Sequence, residues 1–323
     1  MKDFDFDPVP IINAEGYVIK NKNEAERKNS SSGGVFILLA KEIISRGGYV
    51  CGCVYSQELL PEHIVSNDLS DVYKMMGSKY VVSNLKNCFN EIKTLLSEGK
   101  EVLFSGVPCQ IDALKRSVSD SDKLLTVGVV CHGSIGRNIY QAFLKEEQKR
   151  GEIKSLTMRD KQKGWSNYGM RVTFKDNSEH ITFRNEDGYF LKCFTSGIFE
   201  RDVCLKCKIK GGNIKADILL GDGWGMDKLF PDFADNLGVS SVLALSQKGK
   251  LELKKILKHT EFKQIDAEEI IKRNGRIMTP APENSRRKKF LKEFAKYPDK
   301  FTKLTKKYAK ETFFSKLKRK FKF

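Results

Sequence analysis

Four cysteines stand where thiols do chemistry. Cys204-Leu-Lys-Cys207 sets two thiols two residues apart, a spacing that lets them share one metal ion or one cluster. One such pair is half a site. Cys109 and Cys131 are the candidates for the other half. Cys109 lies in Ser105-Gly-Val-Pro-Cys-Gln110, after an apolar strand predicted over 101–104. Cys131 opens Cys131-His-Gly133, after an apolar strand predicted over 124–130. α/β proteins gather ligands outside the carboxyl ends of such strands. Cys109, Cys131, Cys204 and Cys207 are therefore expected to meet there. The spacing leaves iron–sulfur ligation, structural zinc and unligated thiols all open. His132 could ligate or bond the backbone. Asp217 and Asp222 could ligate, cap turns or bond a ring nitrogen. Trp224, between glycines, reads as a stacking platform or a core plug.

The elements that must position these residues follow from periodicity. Asn29-Ser-Ser-Ser32-Gly33-Gly34 opens an apolar-periodic helix over 35–44, closed by Gly47-Gly48. Ser32, Gly33 and Gly34 either cradle a phosphate on free N–H groups or form a plain serine cap. Cys51 and Cys53 share one face of a strand over 49–55 and read as buried packing. Gly77-Ser78-Lys79-Tyr80 is a turn that could hold an anion, stack on a flat ring or stand in solvent. Cys88 lies on an amphipathic helix over 85–96 and reads as packing. In Ser105-Gly106-Val107-Pro108, glycine permits close approach of a ligand and proline fixes the turn before a helix.

Strand and helix alternate through the first half, which predicts a largely parallel sheet. After Gly151 short strands with polar turns take over, the Asp176-Asn177 hairpin among them. The expected fold is α/β: a mainly parallel sheet with flanking helices, an antiparallel α+β insertion over 151–200, and a basic helical C-terminal tail. The corresponding division is a lead-in over 1–28, a main domain over 29–285 and a tail over 286–323.

The 323 residues are 40% hydrophobic, enough for a core, and contain no run of about 18 apolar residues that would span a membrane. The N-terminus lacks a signal-peptide core, so a cytoplasmic protein is expected, with its eight cysteines as thiols and ligands and not disulfides. The net charge of +17 is concentrated. Residues 286–323 hold 16 Lys and Arg against three acids, a net of +13, which leaves +4 for the rest. High pI therefore does not make the whole chain a nucleic-acid binder, and no recognition motif accompanies the charge. Aromatic residues interleave with the cations from Phe290 to Phe321. Two readings stand side by side: a basic amphipathic helix lying on an anionic membrane surface, which would place the protein on the inner face of the membrane, or a segment over 286–308 packed on the body with a solvated basic end.

Taken together, the motifs resemble the coenzyme F420 hydrogenase/dehydrogenase beta-subunit family. Those that carry the resemblance are Ser30-Ser-Ser-Gly-Gly-Val-Phe36, Gly77-Ser-Lys-Tyr80, Phe104-Ser-Gly-Val-Pro-Cys-Gln110, Cys131-His-Gly133, Arg159-Asp160 with Gly164-Trp165, Cys204-Leu-Lys-Cys207 and Asp217-Ile-Leu-Leu-Gly-Asp-Gly-Trp-Gly225, over about residues 29–290. The resemblance implies an FAD-binding oxidoreductase with an iron–sulfur cluster beside the flavin. It implies Cys109, Cys131, Cys204 and Cys207 as ligands of a [4Fe–4S] cluster. It implies Ser32, Gly33 and Gly34 at the FAD pyrophosphate, Gly77, Ser78, Lys79 and Tyr80 along the flavin, and Ser105, Gly106, Val107 and Pro108 on its other side. Many members begin with a ferredoxin module. Here no cysteine precedes Cys51, so electrons are expected from a separate ferredoxin or iron–sulfur partner subunit. The small-molecule hydride acceptor is left open between a deazaflavin and a substrate of polysaccharide synthesis. The competing class is a zinc-stabilised binding protein with a basic interaction tail.

Overall fold

The computed structural model describes residues 11–310. Eleven strands are formed: β1 (Glu15–Asn21), β2 (Tyr49–Tyr55), β3 (Pro61–Ser66), β4 (Val102–Gly106), β5 (Leu124–Val129), β6 (Ile153–Asp160), β7 (Gly169–Phe174), β8 (Glu179–Phe183), β9 (Ile218–Asp222), β10 (Ser240–Ala244) and β11 (Thr260–Asp266). Eight of them make one sheet in the order β11-β1-β10-β9-β5-β4-β2-β3, and β6-β7-β8 make a second.

The four contiguous strands β2, β4, β5 and β9 run parallel. β3 flanks them on one side, and β10, β1 and β11 on the other, each paired antiparallel with its neighbours. The expected parallel sheet is thus the centre, and the flanks reverse. Alternation along the central strands loads both faces. Leu103, Val127, Ile218 and Val242 enter one core, with Ile37 and Leu39 of the helix Val35–Ser45. Phe104, Leu124, Leu219 and Leu243 enter the other, with Ile111 and Leu114 of the helix Pro108–Ser117. A strand buried on both faces cannot alternate polar with apolar, which is why β4 and β5 read as continuous apolar runs.

The second sheet is the expected insertion, turned at Asn177 with φ 65°. Its Met158, Met170, Val172 and Phe174 share a core with the helices Arg137–Gln148 and Tyr189–Thr195. Phe290, Phe294, Phe301, Leu304 and Tyr308 complete that same core.

This corrects the membrane reading for the tail through Ala309. The helices Arg287–Lys296 and Phe301–Ala309 turn their aromatic face into the protein and their lysines outward. Phe290 is fully buried, with its ring 5.2 Å from Phe199 and 5.5 Å from Tyr308. Phe313, Phe314, Leu317 and Phe321 lie outside the described residues. Phe290→Ala should cost about 3–5 kcal/mol in chemical denaturation. Exposed Lys292→Ala should stay within about 0.5 kcal/mol. Equal losses would mean that the aromatic face is not core.

Candidate functional site

β4, β5 and β9 are adjacent and parallel, so their carboxyl ends open onto one edge. β4 runs through Ser105 and Gly106 into Val107, and Pro108 begins the next helix with its φ pre-set. The Gln110 side chain reaches back, accepting from the Val107 N–H at 3.0 Å and donating to Ser83 Oγ at 2.8 Å. These bonds hold Cys109 at the first turn. β5 delivers Cys131, whose Sγ accepts from the Gly133 N–H at 3.4 Å. The short helix Asp202–Leu205 carries Cys204, and Cys207 follows it.

These segments bring Cys109, Cys131, Cys204 and Cys207 around one small, mainly apolar cavity, with Pro108 and Lys210 in its wall. The convergence expected from the strand ends is therefore present. Cys109 is exposed at the cavity mouth, and the other three are half-buried. The protein packed behind Cys109, and then the sulfurs of Cys131, Cys207 and Cys204, push its thiol up to about 11. Burial likewise raises Cys131 and Cys204. Lys210 Nζ donates to Cys131 O at 2.7 Å and to Arg276 O, tying the Cys204–Cys207 loop to the end of β5. Arg287 does the same from the other side, donating to Glu200 O at 2.7 Å and pairing with Asp202 at 2.7 Å. Among the described residues no group of three or more His, Cys, Asp or Glu side chains is arranged to hold a metal ion. The thiols share a cavity without closing on one point. His132 stands exposed on the Cys131 loop. The surrounding protein, with Lys210, Arg276 and Arg159 acting against Asp222, holds its imidazole down to about 4.

Beside this cavity lies a buried polar network that joins the two sheets. Arg159, near the end of β6, makes two bonds to Asp222 at the end of β9, at 2.9 and 3.0 Å. Ser32 Oγ donates to the same carboxylate. The Arg159 guanidinium lies over the Tyr168 ring at 4.1 Å and donates to the Tyr80 hydroxyl at 3.3 Å. Lys161 Nζ donates to three backbone carbonyls, of Arg27, Ser32 and Leu237, at 2.6–2.9 Å. Trp165 and Trp224 stack at 4.6 Å, and Trp165 Nε1 donates to Ser31 O at 3.2 Å. Trp224 is thus one half of an aromatic pair. Asp222 is committed to Arg159 and Ser32. Asp217 is committed to Thr126 and Ser246, at 2.6 Å to each hydroxyl, so neither carboxylate is free to ligate.

The expected flavin contacts separate into two groups. Ser31 and Ser78 hydroxyls meet at 2.6 Å, and Gly77 (φ 79°) faces open space, with Asn29 O 3.9 Å from where a Cβ would stand. Tyr80 is half-buried and stacks on Phe194 at 4.6 Å. Lys79 differs from expectation. Its Nζ caps the helix Leu69–Met75, donating to Met76 O at 3.0 Å and Lys74 O at 3.2 Å, and burial lowers its pKa to about 8. Gly33 also differs from the expected cradle. It donates its N–H to Ser240 Oγ at 2.9 Å, and a Cβ there would run into Ile19 O and Ser240 N. Close packing of this turn on β1 and β10 requires the glycine, and Ser32 is spent on Asp222. Cys51 and Cys88 are buried away from the four thiols, with Cys88 Sγ donating to His63 O at 3.2 Å. Arg159 and Lys161 were not expected as organisers. The Arg159-Asp160 and Gly164-Trp165 motifs were the only signal.

Residues 99–270 match the family described as the C-terminal part of the coenzyme F420 hydrogenase/dehydrogenase beta subunit, a span that includes all four cysteines, Arg159 and Asp222. Among solved structures, a chain from a xenon-derivatised F420-reducing [NiFe] hydrogenase complex of Methanosarcina barkeri is similar in fold. The TM-score is 0.55 at 18% identity, over 82% of this chain and 92% of that one. No curated protein matches this chain.

Asp222→Asn would leave Arg159 buried without its counter-charge. The expected loss is about 3–5 kcal/mol in denaturant titration. Arg159→Met in the Asp222→Asn background should recover part of it, because the stranded charge is gone. If the double variant falls by the sum of the two single losses, the pair is not coupled.

Proposed function

Because this chain belongs to the coenzyme F420 hydrogenase/dehydrogenase beta-subunit family, an oxidoreductase family, we propose that it carries electrons between an iron–sulfur partner and an organic hydride acceptor. Cys109, Cys131, Cys204 and Cys207 are the proposed ligands of a [4Fe–4S] cluster. The observation that carries this is their meeting at one cavity from three separate segments of the chain. The donor set suits the group: four thiols, and no carboxylate or imidazole in the cavity wall. A cluster takes one thiolate on each iron, so its ligands border a volume, whereas tetrahedral zinc draws four ligands onto one point. Thiols spread around a cavity favour the cluster.

The flavin of FAD is proposed to lie between the 77–80 turn and the 105–108 turn. Gly77 leaves open space there, and the Gln110–Ser83 bond ties the second turn to the chain that follows the first. That seat is one residue from Cys109. The 32–34 turn offers Gly34 alone, since Ser32 and the Gly33 N–H have protein partners. When bound, the cluster supplies single-electron transfer and the flavin pairs two electrons with a proton as a hydride. The chain's own part is to hold the ligand-bearing turns close, through Gln110, Lys210 and Arg287. The proposed acceptor is a deazaflavin of the F420 type, with a sugar-linked substrate as the second candidate. The matched hydrogenase is a complex, which supports a partner subunit for this chain too.

Protein purified without oxygen should be brown-yellow and hold about four irons per chain. Cys109→Ser, Cys131→Ser and Cys204→Ser should each lose most of that iron, and Cys88→Ser should not. A colourless protein with one zinc per chain, or equal iron in all four variants, rules the proposal out.

A further inference from the structure

The charge around the cysteine cavity is not spread like that of the rest of the body. Residues 1–285 hold 42 Lys and Arg against 38 Asp and Glu, a net of +4. The fifteen residues 201–215 hold five against one, also +4. This one loop, which carries two of the four thiols, accounts for the whole net charge of the body.

Two of its cations are used internally. Lys210 is turned toward the Cys131 and Arg276 carbonyls, and Lys215 pairs with Asp112 at 3.0 Å. Three are not. Arg201, Lys206 and Lys208 are exposed, and none of them has an ion-pair partner among the described residues. The loop's single carboxylate, Asp202, is neutralised by Arg287. Among these cations, Val203 stands 61% exposed on the helical turn that bears Cys204. Met278, 36% exposed, follows on the neighbouring segment, its carbonyl 3.7 Å from where a Cβ on Gly211 would stand. Cys109 is exposed at the cavity mouth. The loop that carries two of the proposed ligands therefore shows solvent an apolar side chain, Val203, flanked in sequence by unpaired cations.

We propose that this face, Arg201, Lys206 and Lys208 around Val203, is the docking site for an acidic iron–sulfur electron-carrier protein. The inference rests on the cluster reading of the four cysteines and names the surface through which it is served. Electron transfer falls steeply with distance, so a carrier must seat against the ligand-bearing loop and not elsewhere on the molecule. Unpaired cations steer an acidic partner to that loop and raise its association rate, and the apolar centre is left for the contact itself. A binding face built this way is salt-sensitive, because exposed charges are screened within about 10 Å at 0.1 M salt. Residues 286–323 give the chain most of its net charge. The lysines of the helices Arg287–Lys296 and Phe301–Ala309 are exposed on the outer face of the second core, and the proposal assigns them no part.

The test uses the full chain, purified without oxygen, and a bacterial two-cluster ferredoxin of net negative charge. Binding is measured by biolayer interferometry at low and at 0.3 M salt. Wild type should bind at low salt and weaken at least tenfold at high salt. Arg201→Glu/Lys206→Glu/Lys208→Glu should weaken binding at least tenfold at low salt. Lys292→Glu/Lys296→Glu/Lys303→Glu should bind like wild type. Zero-length carbodiimide cross-linking of wild type should join Lys206 or Lys208 to ferredoxin carboxylates, a result that does not depend on any variant folding. Iron content and reduction by dithionite should be the same in wild type and both variants. Loss of binding only in the helix variant, cross-links confined to other lysines, or no salt-sensitive binding of the ferredoxin would overturn the proposal. So would capture of wild type by phosphatidylglycerol vesicles in place of the ferredoxin. A chain that lacks iron altogether would instead overturn the cluster reading, so the two failures are told apart.

Discussion

The ion pair between Arg159 and Asp222 is the constraint on which the site's architecture depends. It joins the end of a strand in the small sheet to the end of a strand in the large one, and both side chains are largely withdrawn from water. Charges in such a place are held only by close geometry and by further bonds to their remaining donors and acceptors. The structure supplies these in Ser32, Tyr80 and the Tyr168 ring. Each added contact brings another segment to the same edge. Ser32 brings the turn before the first long helix, Tyr80 brings the 77–80 turn, and Lys161 pins that Ser32 turn to the helix Glu24–Asn29 and to the loop at Leu237 through three carbonyls. The polar network is thus the joint between the two sheets.

How much of this the sequence discloses depends on whether a residue's role is local. The central strands are legible because burial on both faces forces continuous apolar runs. Cys131 is legible because it directly follows such a run, and Cys109 because it stands in the short turn after one. β11 is not. Its Thr-Glu-Phe-Lys-Gln-Ile-Asp is mostly exposed on the outer edge of the sheet, where pairing with β1 alone makes it a strand and charge protects it from further pairing. The roles of Arg159 and Lys161 are not legible, since nothing near them in sequence shows that their partners are at Asp222, Ser32 and Leu237. Gly33 looks like a ligand-approach glycine and is one for close approach, but what approaches it is the chain's own β1 and β10. The tail shows the converse error. Its cations dominate composition, while its energetics belong to the aromatic face buried between the second sheet and its helices.

The placement of the four thiols has two sources of different stiffness. Cys109 and Cys131 follow adjacent parallel strands whose register is fixed by ladder pairing from Val102↔Leu124 to Gly106↔Gly128. Their positions are set by the core. Cys204 and Cys207 lie on a short helical turn and a loop that contribute no strand to either sheet. Their positions are set by cations reaching for carbonyls: Lys210 to Cys131 and Arg276, Arg287 to Glu200. Half of the site is thus preformed, and half is held by bonds that water and salt contest. That division would suit the proposed cluster, since half of its proposed ligands are carried on the less firmly held segment. It also explains the loop's charge. Cations that fasten the loop inward and cations that face outward come from the same fifteen residues, so what positions the proposed ligands and what is proposed to meet a partner sit within a few residues of each other. A change in one is then felt by the other without any long-range relay through the core.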